Sequence, residues 1–92
     1  MRYKIFVHMD CPDCVETVQR LKSDNIDKFE YELLDVSDLM NLKKFISLRD
    51  CNESFNSIRG TATAGLPCFY DSETKEAYLD LDDFLTCLNL EL

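Results

Sequence analysis

The chain has 92 residues, of which 46% are hydrophobic, and its formal net charge is −8, from 18 acidic and 10 basic residues. A chain of this length is expected to fold as one small domain, residues 1–92, and its apolar content argues against intrinsic disorder. The charge disfavours nucleic acid and anionic membrane surfaces as partners, because contact with phosphate would be repulsive. No apolar run approaches the ~20 residues that a membrane-spanning helix needs.

The N-terminal sequence indicates the compartment, and the cysteine count limits the possible disulfides. Met1 to Lys4 leads directly into an apolar strand, without the features of a signal peptide, so we expect a cytoplasmic protein. Five cysteines are an odd number, which excludes a fully paired set of intrachain disulfides. Cys51, Cys68 and Cys87 are therefore predicted to be free thiols. Cys51 and Cys87 lie on predicted helices beside apolar residues, and we therefore expect them to be in the core or half-buried.

The first strand and the first helix flank a pair of cysteines. Residues 2–9 are β-branched and aromatic, with apolar groups on both faces, which predicts a central strand. Residues 11–23 repeat apolar side chains at helical spacing and predict a helix, with Asp10 as its N-cap and Pro12 in its first turn. The motif Cys11-Pro12-Asp13-Cys14 therefore lies where the strand ends and the helix begins.

A second strand, a second helix and an irregular segment follow. Alternating polar and apolar residues predict a strand at 29–36, and an apolar side predicts a helix at about 38–51. The segment 52–65 contains both glycines of the chain. We expect Phe55 and Ile58 to anchor it to the core, and the segment to form one wall of a substrate groove. The residues predicted to be buried on the second helix are Leu42, Phe45 and Ile46.

Two more strands and a last helix complete the predicted fold. Residues 66–70 and 76–79 are separated by a turn, and acidic residues from Asp80 to Asp83 suit the start of a helix. The element order is βαβαββα. This order predicts an α/β fold, with a four-stranded mixed sheet and helices on both of its faces.

The position of each cysteine in the first helix predicts its chemical role. Cys11 lies at the helix N-terminus, where unpaired backbone N–H groups and the helix dipole favour a thiolate. Cys14 follows one turn later and lies further inside. We therefore predict thiol–disulfide exchange, in which Cys11 attacks a disulfide and Cys14 resolves the mixed disulfide that forms.

The chain resembles the glutaredoxins, a family within the thioredoxin fold. The resemblance covers nearly the whole chain in length and element order. Its specific motifs are Cys11-Pro12-Asp13-Cys14, Pro67 at the start of a strand, and Asp82-Asp83 before the last helix. It implies a glutaredoxin-type fold, dithiol–disulfide oxidoreductase activity and a cis Leu66–Pro67 bond facing the dithiol. The backbone of Leu66 would then pair with an extended thiol peptide.

The resemblance also implies a substrate or glutathione site, which this chain matches only in part. The implied site residues are His8, Asp13, Leu66, Pro67, Asp82 and Asp83. Glutaredoxins usually carry a lysine in place of His8, an aromatic residue in place of Asp13, and two glycines where Leu79-Asp80 stand here. Glutathione is anionic and would meet Asp13 beside Cys11, so we expect a protein reductase to be a better electron donor than glutathione.

On this interpretation the protein is a monomer that holds no bound cofactor. It would reduce disulfides in proteins or small molecules, with electrons from glutathione or a protein reductase. Two alternatives stay open on the residues: an iron–sulfur or other metal-binding glutaredoxin-type protein, and a non-catalytic thioredoxin-fold module that binds peptides. Zinc usually has four ligands, yet the chain has no second Cys-x-x-Cys and only one histidine. Cys68 is expected to be a buried strand thiol, or else a third redox thiol near the dithiol.

Overall fold

A computed structural model describes residues 2–23, 30–61 and 63–88. The predicted element order is confirmed within these residues, whereas position 29, the predicted start of the second strand, lies outside them. None of the described helices is both long and apolar enough to cross a membrane. The strands are β1 (Tyr3–Val7), β2 (Tyr31–Asp35), β3 (Cys68–Asp71) and β4 (Glu76–Tyr78), and the helices are α1 (Pro12–Ser23), α2 (Leu39–Cys51), α3 (Leu81–Cys87) and a short 3-10 helix (Glu53–Phe55).

The four strands form one mixed sheet in the order β2-β1-β3-β4. β1 runs parallel to β2, with Ile5 opposite Leu33, and antiparallel to β3, with Ile5 opposite Phe69. β4 pairs antiparallel with β3 at the outer edge. A parallel pair needs a crossover connection, and α1 lies in the connection between β1 and β2. The predicted α/β class with a four-stranded mixed sheet is confirmed.

Side chains of β1 alternate between two hydrophobic clusters, one on each face of the sheet. Ile5 and Val7 pack with residues of α1 and α3, whereas Phe6 packs with residues of α2. This two-sided burial agrees with the predicted central position of β1. The first cluster also contains Cys14, Val18, Leu21, Phe69, Leu81, Phe84 and Leu85, and the second contains Leu34, Val36, Phe45, Phe55, Cys68 and Ala77.

The apolar side of α2 is narrower than predicted. Phe45 is its one buried residue, and Leu42 and Leu48 pack partly buried against the same cluster. Ile46, predicted to be in the core, is 47% exposed. This prediction was wrong because Ile46 follows Phe45 directly, and adjacent residues on a helix point in directions about 100° apart.

Two arginines hold the segment after α2 in place. Arg49 donates hydrogen bonds to the carbonyls of Thr63, at 2.9 Å, and Ala64, at 3.0 Å. Arg59 donates in turn to the carbonyl of Arg49 at 2.8 Å. The predicted anchoring is confirmed for Phe55, which is fully buried, and for Ile58, which packs partly buried against the same cluster. These contacts fix the chain as it approaches β3.

Gly65 lies between this segment and Leu66. Its φ is +95°, in a region that residues with a side chain rarely adopt. A Cβ atom at this position would lie 2.8 Å from Cδ1 of Ile58 and 2.9 Å from Cε1 of Phe55. A side chain at this position would therefore require Phe55 and Ile58 to move.

Candidate active site

Cys11 directly precedes α1. The helix begins at Pro12, so Cys11 takes the capping position that the sequence analysis gave to Asp10. The N–H of Cys11 donates to the carbonyl of His8 at 2.9 Å, and its own carbonyl accepts from Val15 at 3.1 Å. The residue is partly exposed. Cys11 is thus reachable from solvent at the end of the helix where the backbone favours an anion.

Cys14 is fully buried one turn later, in the cluster between the sheet and α1. Burial raises the pKa of the Cys14 thiol to about 11, and the nearby Cys11 and Asp13 add to this effect, whereas a hydrogen bond from the His8 backbone opposes it. At neutral pH Cys14 therefore stays protonated. One helical turn separates an accessible thiol from a sheltered one.

The Leu66–Pro67 peptide bond is cis, as the resemblance implies. β1 and β3 are antiparallel, with Phe6 opposite Cys68, so the end of β1 lies beside the start of β3. Cys11 follows the end of β1, and Pro67 immediately precedes β3. The register of these two strands therefore brings the predicted dithiol and the predicted proline to the same end of the sheet.

A cleft of about 330 Å³ lies between α1 and the segment that joins β4 to α3. Three of the predicted site residues, Asp13, Leu66 and Pro67, line this cleft. Cys11 is not among its lining residues, but it stands two positions before Asp13. The complete lining is Asp13, Glu16, Thr17, Arg20, Leu66, Pro67, Leu79, Asp80 and Leu81.

The sequence analysis did not assign Glu16, Thr17 and Arg20 to the site. A signal for them is present, because residues three or four apart share one side of a helix, and Asp13, Glu16, Thr17 and Arg20 have this spacing. What the sequence does not show is that this exposed side of α1 faces the start of α3 across a cleft.

The remaining predicted site residues lie outside the cleft lining. Asp82 accepts a hydrogen bond from Arg20 at 3.3 Å, which places it near the cleft. Asp83 lines a larger cleft of about 650 Å³ beside β4. Nδ1 of His8 accepts the N–H of Asp10 at 3.1 Å. The structure thus brings Asp82 near the cleft, and His8 beside the dithiol through its backbone, whereas Asp83 lies at the other cleft.

The segment 52–65 does not form the predicted wall of this cleft. None of its described residues is part of the lining, whereas Asn52, Glu53 and Ser54 line the larger cleft. The segment still affects the site indirectly, because it leads through Gly65 to Leu66, which does line the cleft.

The other three cysteines lie away from the dithiol. Cys68 is fully buried in the cluster on the opposite face of the sheet from Cys14, and burial raises its pKa to about 12. Cys51 and Cys87 are exposed, so the prediction that they are core or half-buried was wrong. Among the described residues, no group of three or more His, Cys, Asp or Glu side chains is arranged to hold a metal ion.

Comparison of the chain with protein-family models, with curated proteins and with solved structures found no match.

Proposed function

We propose that this protein is a dithiol–disulfide oxidoreductase with a glutaredoxin-like version of the thioredoxin fold. The observation that carries the proposal is the asymmetry of the two thiols. Cys11 is accessible at the start of α1, whereas Cys14 is buried one turn later with a pKa of about 11. A nucleophilic and a resolving thiol need this difference in access. The cleft next to this turn adds a place for substrate.

In the proposed reaction, the Cys11 thiolate attacks one sulfur of a substrate disulfide. A Cys11–substrate disulfide forms and the first substrate thiol leaves. Cys14 then loses its proton and attacks the Cys11 sulfur, which releases the second substrate thiol. The dithiol gives up two electrons and two protons and ends as a Cys11–Cys14 disulfide. An external dithiol, or two monothiol molecules, returns it to the reduced form.

The element order and the strand register also support the proposal. The elements follow one another in the order found in the glutaredoxins: β1, α1, β2, α2, β3, β4 and α3. The Cys-Pro-x-Cys motif and the cis proline lie at one end of the sheet. The motif and the cis proline occur together in that family. In this chain they are about fifty residues apart in sequence, so their meeting at one end of the sheet depends on the fold.

A single-turnover assay tests the proposal. Cys51 and Cys87 are exposed, so both are first replaced by serine to remove their background reactivity. The reduced protein is freed of reductant and mixed with an uncharged peptide disulfide, and the released peptide thiol is measured. We expect release of two thiols per protein molecule. Cys11→Ser should release none, whereas Cys68→Ser should release as much as the parent. Equal release from the parent and from Cys11→Ser would refute the proposal.

A further inference from the structure

The cleft beside Cys11 has a strongly acidic lining. Three carboxylates, those of Asp13, Glu16 and Asp80, face a single guanidinium, that of Arg20. Arg20 is itself paired with Asp82 at 3.3 Å, so its charge is largely compensated. All of these carboxylates are on exposed residues. The cleft therefore favours cationic groups and repels anionic ones.

The lining is mostly polar, and it also includes three leucines. Leu66, Leu79 and Leu81 border the same cleft as the carboxylates. Lysine and arginine side chains place their methylene groups along apolar surface while their charged ends reach polar groups. Leu66 and Leu79 are only partly buried, so they can give limited contact to the methylene groups of such a side chain while its charge reaches the carboxylates.

Thr17 is a second, independent sign that the cleft receives a ligand. It is 7% exposed and lines the cleft. Its hydroxyl makes no hydrogen bond to another described residue. Every fully buried side-chain oxygen or nitrogen among the described residues does have a hydrogen-bond partner. The hydroxyl is therefore not fully buried, and because Thr17 lines the cleft, a ligand there could offer it a peptide N–H or carbonyl.

We infer that this cleft selects the disulfides of protein segments that carry lysine or arginine beside the cysteine, over neutral or acidic segments and over glutathione disulfide. The inference rests on the proposed function, because it concerns the substrate of the same dithiol. The basic side chain would pass the partly buried Leu79, with its charge near Glu16 and Asp80. The same charges would make glutathione a poor electron donor.

The test compares three disulfide-linked peptides of equal length, in which the cysteine is flanked by lysine, serine or glutamate. The rate constant for oxidation of the reduced protein is measured under single-turnover conditions for each, and for glutathione disulfide. At low salt the lysine peptide should react at least about tenfold faster than the glutamate peptide. The gap should shrink in 1 M salt, where the screening length falls to about 3 Å.

Matched variants separate the cleft from the net charge of −8, which attracts any cation. The double variant Glu16→Gln, Asp80→Asn should lose most of the preference for the lysine peptide over the glutamate peptide. The control Glu32→Gln, Asp50→Asn makes the same change in net charge at exposed positions of β2 and α2, outside the cleft lining. It should keep the preference.

Equal rates for the lysine and glutamate peptides would overturn this inference alone, provided that the serine peptide is reduced in a Cys11-dependent manner. Equal loss of preference in the two double variants would also overturn it, because the effect would then come from net charge. Absence of any Cys11-dependent reduction would overturn the proposed function, and this inference with it.

Discussion

The sulfur of Cys14 lies in the hydrophobic cluster between α1 and the sheet, whereas Cys11 is partly exposed. Burial disfavours the charged form of a thiol, which is the main reason that the pKa of Cys14 is raised to about 11. Its charge state and its access to solvent therefore both limit its reaction with outside molecules. The local structure leaves intramolecular attack on a Cys11 mixed disulfide as the main reaction open to Cys14.

This difference predicts the pattern of alkylation in the folded, reduced protein. At pH 8 iodoacetamide should label Cys11, and also the exposed Cys51 and Cys87, while Cys14 and Cys68 stay unlabelled. Only the thiolate reacts, so labelling of Cys14 should rise about tenfold for each pH unit as pH 11 is approached. Peptide mapping by mass spectrometry gives the labelled fraction of each cysteine.

The control for this experiment is the unfolded protein in urea, where all five cysteines should react. Labelling of Cys14 at pH 8 in the folded protein at the same rate as Cys51 would contradict the account. Rapid labelling of Cys68 would contradict its burial on the other face of the sheet.

The segment that joins α2 to β3 determines where Leu66 and Pro67 lie. Arg49 holds the end of this segment through backbone carbonyls, and Gly65 completes it where a side chain would clash. No residue of the segment before Leu66 lines the small cleft, among those described. The segment thus contributes to the site by fixing the path of the chain.

Replacement of the two glycines tests this role. Gly60 and Gly65 both have positive φ, at 78° and 95°, but a Cβ atom at Gly60 would meet nothing within 4 Å. Gly60→Ala should lower the free energy of unfolding by about 1–2 kcal/mol, the cost of the backbone conformation alone. Gly65→Ala should lose about 1–3 kcal/mol more, because Phe55 and Ile58 must move. Urea unfolding measures both, and equal losses would show that the close contact at Gly65 is unimportant.

The sequence predicted the elements better than it predicted their orientation. Hydrophobic spacing indicated that β1 is a strand and α1 a helix, and therefore that the dithiol lies between them. These predictions succeeded because the signals are local in the sequence. The same spacing failed for Ile46, since which side of α2 meets the sheet depends on tertiary packing. It also missed Glu16 and Thr17 as cleft residues, because their role depends on α3 lying opposite α1.

Charge acts at the scale of the whole molecule. The net charge of −8 was predicted to disfavour anionic partners, and the structure places carboxylates of Asp13, Glu16 and Asp80 in one cleft beside the dithiol. Composition alone could not show this local concentration, because it depends on how α1 and the start of α3 are packed together. A uniform surface charge would only change encounter rates, whereas a charged cleft also discriminates between substrates.

The most direct test of the central claim is to trap the mixed disulfide on a Cys14→Ser variant that also carries Cys51→Ser and Cys87→Ser. This protein is incubated with the serine-flanked peptide disulfide, and the adduct is mapped by mass spectrometry without reduction. The account predicts one peptide per molecule, attached to Cys11 and stable because the resolving thiol is missing. Addition of Cys11→Ser should remove the adduct. Attachment of the peptide to Cys68, or the absence of an adduct while Cys11 is present, would contradict the assignment of Cys11 as the nucleophile.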